Sequence, residues 1–346
     1  MVSRAATVRT VLGDLAPEAL GVTDAHDHLF LRSPVLAGQE LDDAGAAEAE
    51  LRAFRAAGGG TVVQWTPYGM GRRAAELPRL SRATGVHVVA ATGLHQAVHY
   101  PAALLKDIGE DLASLFVAEL TQGIGSTGNN EGSAAPGNVG VTADSAATGD
   151  VAVTGEFAVT GPRAGMIKVA GGFHGLDAHA RYTMTAAAEA HHVTGAAIGV
   201  HLELGTGAAD VLELLCDKLG VRPDRVILGH LNRSPDLTAH QEVARTGAYL
   251  AFDGPSRSHH ATDWRLPDAL AALADAGYAD RLLLGGDTTT AGARSVNGGP
   301  GMPYLLRRLR RRLSLTLDPA LVERVLTVNP GRAFAAEWPP GAGGEE

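Results

Sequence analysis

From residue 22 onward, short apolar runs alternate with longer segments in which apolar residues recur at helical spacing. The short runs are 21–29, 60–66, 86–95, 164–171, 196–204, 224–231, 248–254 and 280–287, which makes eight predicted strands. Most are rich in Val, Ile, Leu and Ala without strict polar alternation, as expected of strands covered on both faces. Between them lie amphipathic stretches such as DDAGAAEAELRAFRAAGG, GRRAAELPRLSRATG, the 178–195 segment, GAADVLELLCDKLG, PDLTAHQEVARTG and WRLPDALAALADAGY. Several end in Gly, a natural residue just past a helix C-terminus. Repeated strand–helix units predict a parallel sheet. Eight of them predict closure into an α/β TIM barrel, (β/α)8, with an open doubly wound sheet as the competing architecture.

Two regions break the rhythm. Residues 126–160 are poor in Leu and aromatics and rich in Gly, Ala, Ser, Thr and Asn, which reads as a low-complexity insertion. It precedes the fourth run, so it is expected on the barrel face opposite the strand C-termini. The stretch after Ala335, residues 336–346, reads as a disordered tail. The expected organisation is one domain over residues 1–335. In LLRRLRRRLS, Leu305, Leu306, Leu309 and Leu313 recur at helical spacing, so the arginines read as a solvated face rather than a phosphate- or partner-binding patch.

Composition narrows the function. A chain of 346 residues with 45% hydrophobic residues has ample material for one large core. A net charge of −9 gives no sequence-independent grip on nucleic acid, so no nucleic-acid partner is expected. The single cysteine, Cys216, excludes an intramolecular disulfide and a cysteine-built zinc site; VLELLCDKLG makes it a helix core position. No stretch approaches the roughly 18 apolar residues of a membrane helix. The N-terminal segment has no apolar leader core, so no membrane partner is expected and the cytoplasm is the expected location.

The chemistry lies at the C-terminal ends of the runs. The first ends in His26-Asp27-His28, whose histidines at i and i+2 point to one face of a strand. The fourth carries Lys168, the fifth ends in His201, the sixth in His230 and the eighth in Asp287. In a barrel these ends meet at one mouth. A lone strand-end histidine is ordinarily a hydrogen-bonded core residue. Joint placement is what points to metal, and imidazole with carboxylate suits Zn²⁺, Mn²⁺, Co²⁺ or Fe²⁺. Lys168 places an amine inside an apolar strand, where an ammonium is costly. It is a snorkelling lysine, a Schiff-base nucleophile of the aldolase kind, or an amine that has added CO₂ to become an anionic carbamate. The histidine-rich surroundings favour the last.

These segments together resemble the phosphotriesterase family of the amidohydrolase superfamily, including its lactonases. The resemblance is carried by VRTVLGDLAPEALGVTDAHDHL, RLSRATGVHVVAATGLH, AGMIKVA, HHVTGAAIGVHLELGT, RVILGHLNRSPD, LLLGGD, GGPGMPYLL and VLTVNPGRAF, over nearly the whole chain. It implies two divalent metal ions per chain, Zn²⁺ first among them. His26, His28 and Asp287 would hold the more buried ion and His201 and His230 the more exposed one. Lys168, as N6-carboxylysine, and a hydroxide would bridge them. Asp287 would move the proton of the attacking hydroxide. Asp27 stands where the family usually has Glu, and TTTAGARSVNGGPG lacks aromatics found there in several relatives.

HLELGT, FDGPSRSHH and GGPG are similar to segments of members that open sugar lactones, some of them phosphorylated. A lactonase is therefore expected first and a phosphotriesterase acting on organophosphate esters second. Arg257, with its fork of donors, is a candidate for a substrate phosphate or carboxylate. His259, His260 and Trp264 on the same loop are candidate pocket residues. Relatives also suggest a homodimer.

Overall fold

The computed structural model describes residues 5–108, 111–125, 161–255 and 262–339. Its centre is an eight-stranded sheet in which every neighbouring pair is parallel and consecutive in sequence. The strands are Thr23–Asp27, Thr61–Gln64, His87–Gly93, Met166–Ala170, Ile198–His201, Val226–Gly229, Tyr249–Asp253 and Leu282–Gly285. The first and eighth meet where Asp287 N donates to His26 O at 2.9 Å. The sheet thereby forms a nearly closed barrel, and each of the eight predicted runs contains one of its strands.

Two apolar layers explain why these runs needed no polar alternation. Val63, Trp65, Val89, Ala91, Met166, Ile227, Ala251 and Leu283 fill one cluster with Val8, Leu20, Ala333 and Phe334, which stop its lower end. The opposite strand faces pack in a second cluster with helix residues such as Leu51, Phe54, Leu80, Phe116, Met184 and Leu270. Trp65 is the largest wholly buried side chain. Gly199 faces it from the fifth strand, where a β-carbon would stand 2.8 Å from Trp65 Cη2.

The helices begin and end as their sequences dictate. Asp43, Asp177 and Asp236 cap Ala44–Ala56, Ala178–Thr194 and Leu237–Thr246 by accepting backbone N–H groups. Gly85, Gly195 and Gly247 follow helix ends in the left-handed conformation. In the basic run, Leu305, Leu306, Leu309 and Leu313 are buried while Arg307, Arg308, Arg311 and Arg312 are exposed. Cys216 is half-buried against the outer layer rather than wholly inside it. No helix among the described residues is long and apolar enough to cross a membrane.

One expectation is corrected. The chain remains paired and packed past Ala335 through Trp338, and residues 340–346 lie outside the described residues. Ala335–Ala336 pairs antiparallel with Thr7–Thr10, which also pairs with Gly13–Leu15. Trp338 donates from Nε1 to Thr7 O at 2.9 Å and lies under the Arg9 guanidinium at 4.1 Å. A tryptophan in a Pro- and Gly-rich tail had a cationic face to cover, which composition does not reveal. The 126–160 insertion lies outside the described residues. Its flanks meet near the start of the fourth strand, where Ile124 N donates to Pro162 O at 2.9 Å.

A buried ion pair fastens the wall beside the third strand. Arg72 and Glu119, each 1% exposed, share contacts of 2.5 and 2.8 Å, and Thr92 donates to Glu119 Oε2 at 2.5 Å. Removing one partner strands a buried charge. Glu119→Ala is therefore expected to cost about 3–5 kcal/mol, read as a lowered denaturant midpoint with Glu119→Gln intermediate.

Candidate metal centre

Five of the six candidate ligands sit at or near the end of a strand, and Lys168 lies within the fourth. His201 closes the fifth strand, His26 lies in the first with His28 just beyond it, and His230 and Asp287 follow the sixth and eighth. His230 and Asp287 adopt φ of 64° and 49°. A positive φ is uncommon outside glycine, though Asp and His adopt it more readily than most residues.

The six side chains converge. His28 Nε2 lies 3.5 Å and His26 Nε2 3.8 Å from Asp287 Oδ1, and these three groups could hold one ion. His230 Nε2 lies 2.7 Å from His201 Nδ1, and the His26 and His230 rings are 5.0 Å apart. Lys168 is 1% exposed in the fourth strand, and its Nζ has no hydrogen-bond partner among the described residues. Burial lowers its pKa well below the ordinary lysine value, which the charge of Asp287 only partly opposes. Burial thus favours the neutral amine, the form whose lone pair is nucleophilic.

The outer hydrogen bonds fix which nitrogen of each ring is free. His26 Nδ1 donates to Asp253 Oδ2 at 2.8 Å, and His230 Nδ1 donates to Asp253 Oδ1. His28 Nδ1 donates to Thr66 Oγ1 at 2.8 Å, since that hydroxyl gives its proton to Phe30 O. His201 is reversed: its Nε2 donates to Glu203 Oε2 at 3.1 Å. The partner nitrogens of His201 and His230 therefore face each other lone pair to lone pair. Only a cation or an added proton between them makes that approach favourable. Burial opposes a charge on His230, but the Asp253 carboxylate outweighs it and raises the His230 pKa. A divalent cation fits this donor set, and outer carboxylates and hydroxyls orient metal-binding imidazoles in this way.

Asp253, Thr66 and Glu203 escaped the sequence reading. Asp253 ends the seventh run as the ligands end theirs, so the same strand-end criterion reaches it. Glu203 and Thr66 carried no separate signal. His95 joins the mouth with its ring 4.6 Å from His201. Of the four candidate substrate residues, Trp264 is exposed on the turn Asp263–Arg265 with Arg265 over its ring, away from the six convergent groups' own contacts. Arg257, His259 and His260 lie outside the described residues.

The profile of the phosphotriesterase family matches residues 6–144 and 152–334. The chain belongs to the phosphotriesterase family. Every residue of the convergent set lies inside the matched ranges, and the seven-residue break falls within the 126–160 insertion. Among relatives, a phospho-furanose lactonase from Mycoplasmopsis synoviae is 29% identical, over 94% of this chain and 91% of its own. A lactonase structure from Listeria monocytogenes superposes with a TM-score of 0.79 at 26% identity, covering 95% of this chain and 98% of that one. The phosphotriesterase homology protein of Escherichia coli, with phosphate in its active site, gives 0.77 at 27% identity, over 91% and 99% of the two chains.

Acid should dismantle this family site. Burial, the largest cause, holds His28 and His99 at about 4 and His201 at about 3, against an ordinary 6.5. As pH falls below 6.5 the unfolded chain takes up protons that the folded imidazoles refuse, so folding stability drops with pH. The thermal midpoint of metal-free protein is expected to fall steadily from pH 6.5 toward pH 4, the range these shifted groups span. A flat profile would show that these imidazoles are not buried neutral.

Proposed function

We propose that this chain is a two-metal hydrolase that opens sugar lactones, phosphorylated furanose lactones foremost. One observation carries the metal reading: the outer bonds of His201 and His230 leave Nδ1 of the first and Nε2 of the second facing each other at 2.7 Å, and the Lys168 amine has no hydrogen-bond partner among the described residues. The lactone reading is supported by the family relatives from Mycoplasmopsis synoviae and Listeria monocytogenes, whose names carry that activity.

His26, His28 and Asp287 would hold one cation and His201 and His230 the other, with zinc the preferred metal and Mn²⁺, Co²⁺ or Fe²⁺ accepted by the same donors. Lys168 would join them as a carbamate. Its neutral nitrogen attacks CO₂, forms the N–C bond and releases one proton, leaving a carboxylate that two cations can share. When bound, the metals supply a hydroxide near neutral pH and polarise the lactone carbonyl. Asp287 accepts the proton of the attacking oxygen on its carboxylate and returns it to the ring oxygen as the ester C–O bond breaks. Asp253 and Glu203 keep the imidazoles in the tautomers that leave their inner nitrogens free. Apolar burial of Lys168 keeps its amine unprotonated until it is modified.

A phosphotriesterase activity is the second reading, favoured by the Escherichia coli relative that holds phosphate in its active site. A panel of furanose lactones with and without phosphate, together with aryl phosphotriesters, separates the two. The expected result is the highest kcat/KM on phosphorylated lactones. Activity should vanish with chelator and return with Zn²⁺, Mn²⁺ or Co²⁺. Chelator-resistant turnover with borohydride trapping of substrate on Lys168 would instead identify a Schiff-base aldolase.

Asp287→Asn should lower kcat by about 10²–10⁴-fold if its proton transfer matters. Two bound metals with unchanged turnover would remove that role. Protein grown with carbon-13 bicarbonate should show a carbamate resonance that Lys168→Met lacks.

A further inference from the structure

Beneath the ligand set lies a pair of acids that the proposed reaction does not use. Asp24 and Asp27 are both 0% exposed, on the first strand either side of His26. Asp24 Oδ1 accepts from Gly286 N at 2.9 Å and from His26 N at 3.3 Å. Asp27 Oδ1 accepts from His28 N at 2.7 Å and from Thr288 N at 3.0 Å, and its Oδ2 accepts from the Thr288 hydroxyl at 3.3 Å. The four backbone donors belong to both histidines of the first strand and to the two residues flanking Asp287.

The second oxygens of the pair converge over Gly286. A β-carbon at that position would stand 2.9 Å from Asp24 Oδ2 and collide with Asp27 Oδ2. Asp24 Oδ2 receives no donor among the described residues. Two desolvated carboxyls are an expensive way to fill this space unless their acceptors are needed. The need lies at the junction of the first and eighth strands. Pairing of the first strand with the second shifts register between Asp24 and Asp27. The chain then enters the left-handed conformation at Asp287. Neither feature is held by regular ladder bonds.

We propose that Asp24 and Asp27 form a carboxyl clamp that positions His26, His28 and Asp287 around the more buried cation. The clamp rests on the metal-hydrolase reading above. It acts through the backbone, so Asp24 and Asp27 are positioning residues.

Chelator-stripped wild type, Asp24→Asn, Asp24→Leu, Asp27→Asn and Asp27→Leu are compared by Zn²⁺ titration against a chromophoric competitor. Circular dichroism checks folding, and the thermal midpoint of the metal-free chain is recorded alongside. Asn and Leu carry the same number of side-chain heavy atoms as Asp with the same branching, but only Asn keeps an acceptor oxygen. The leucine variants should bind the tighter Zn²⁺ about 10–100-fold more weakly. The asparagine variants should stay near wild type.

Leucine variants with a lowered thermal midpoint but wild-type Zn²⁺ affinity would overturn the clamp, leaving a purely structural pair. So would equal affinity losses in the Asn and Leu chains. If the leucine chains do not fold, Asp24→Ser and Asp27→Ser, whose shorter side chains reach fewer of these N–H groups, replace them under the same criteria. A wild type that binds no Zn²⁺ would sink the metal reading itself, an outcome distinct from failure of the clamp.

Discussion

At the barrel mouth, imidazole nitrogens are aimed inward with their lone pairs free, and two of them touch across 2.7 Å. Such an arrangement repels itself unless positive charge lies within it. The rest of the site follows from that constraint. Asp253 stands behind His26 and His230 to keep the protons on the outer nitrogens, and Thr66 and Glu203 do the same for His28 and His201. Asp253 is wholly buried, and the charges of the two histidines it serves hold it ionised against the cost of burial. The protein has thus assembled a cavity whose electrostatics are completed only from outside the chain.

The same constraint gives Lys168 its meaning. An ammonium in that strand would add positive charge beside imidazoles that could hold a cation, and it finds no acceptor among the described residues. Burial eases the conflict by lowering the pKa of the amine, which favours its neutral, nucleophilic form. Gly93, across the sheet from Lys168, has φ of 109°, and a β-carbon there would collide with the Lys168 backbone. The third strand can therefore approach closely enough to seal the amine from water.

Buried polar contacts fasten the segments around the mouth to neighbouring helices. The Arg72–Glu119 pair ties the loop after the second strand to the helix Leu112–Thr121. Glu50, also wholly buried, accepts from Met302 N at 2.9 Å and Ser295 Oγ at 2.8 Å. That carboxylate fastens the long segment after the eighth strand to the helix Ala44–Ala56. Each anchor trades desolvation for a fixed loop, which suits a site that must hold several ligands from different strands in register.

The strand rhythm, the helix ends and the placement of His26, His28, Lys168, His201, His230 and Asp287 were all legible in the chain, because each depends on local periodicity or on position within one βα unit. The outer partners were not. Thr66 lies 38 residues from His28 and Asp253 lies 23 from His230, separations that strand pairing brings within hydrogen-bond reach, while the 227 between Asp253 and His26 need barrel closure. The burial of Trp338 likewise waits on a strand made from opposite chain ends, Thr7 against Ala336. Sequence alone determined which chemical groups would stand at the mouth. Tertiary structure decided their tautomers and the protonation of the amine, since both follow from neighbours and burial that no local pattern encodes.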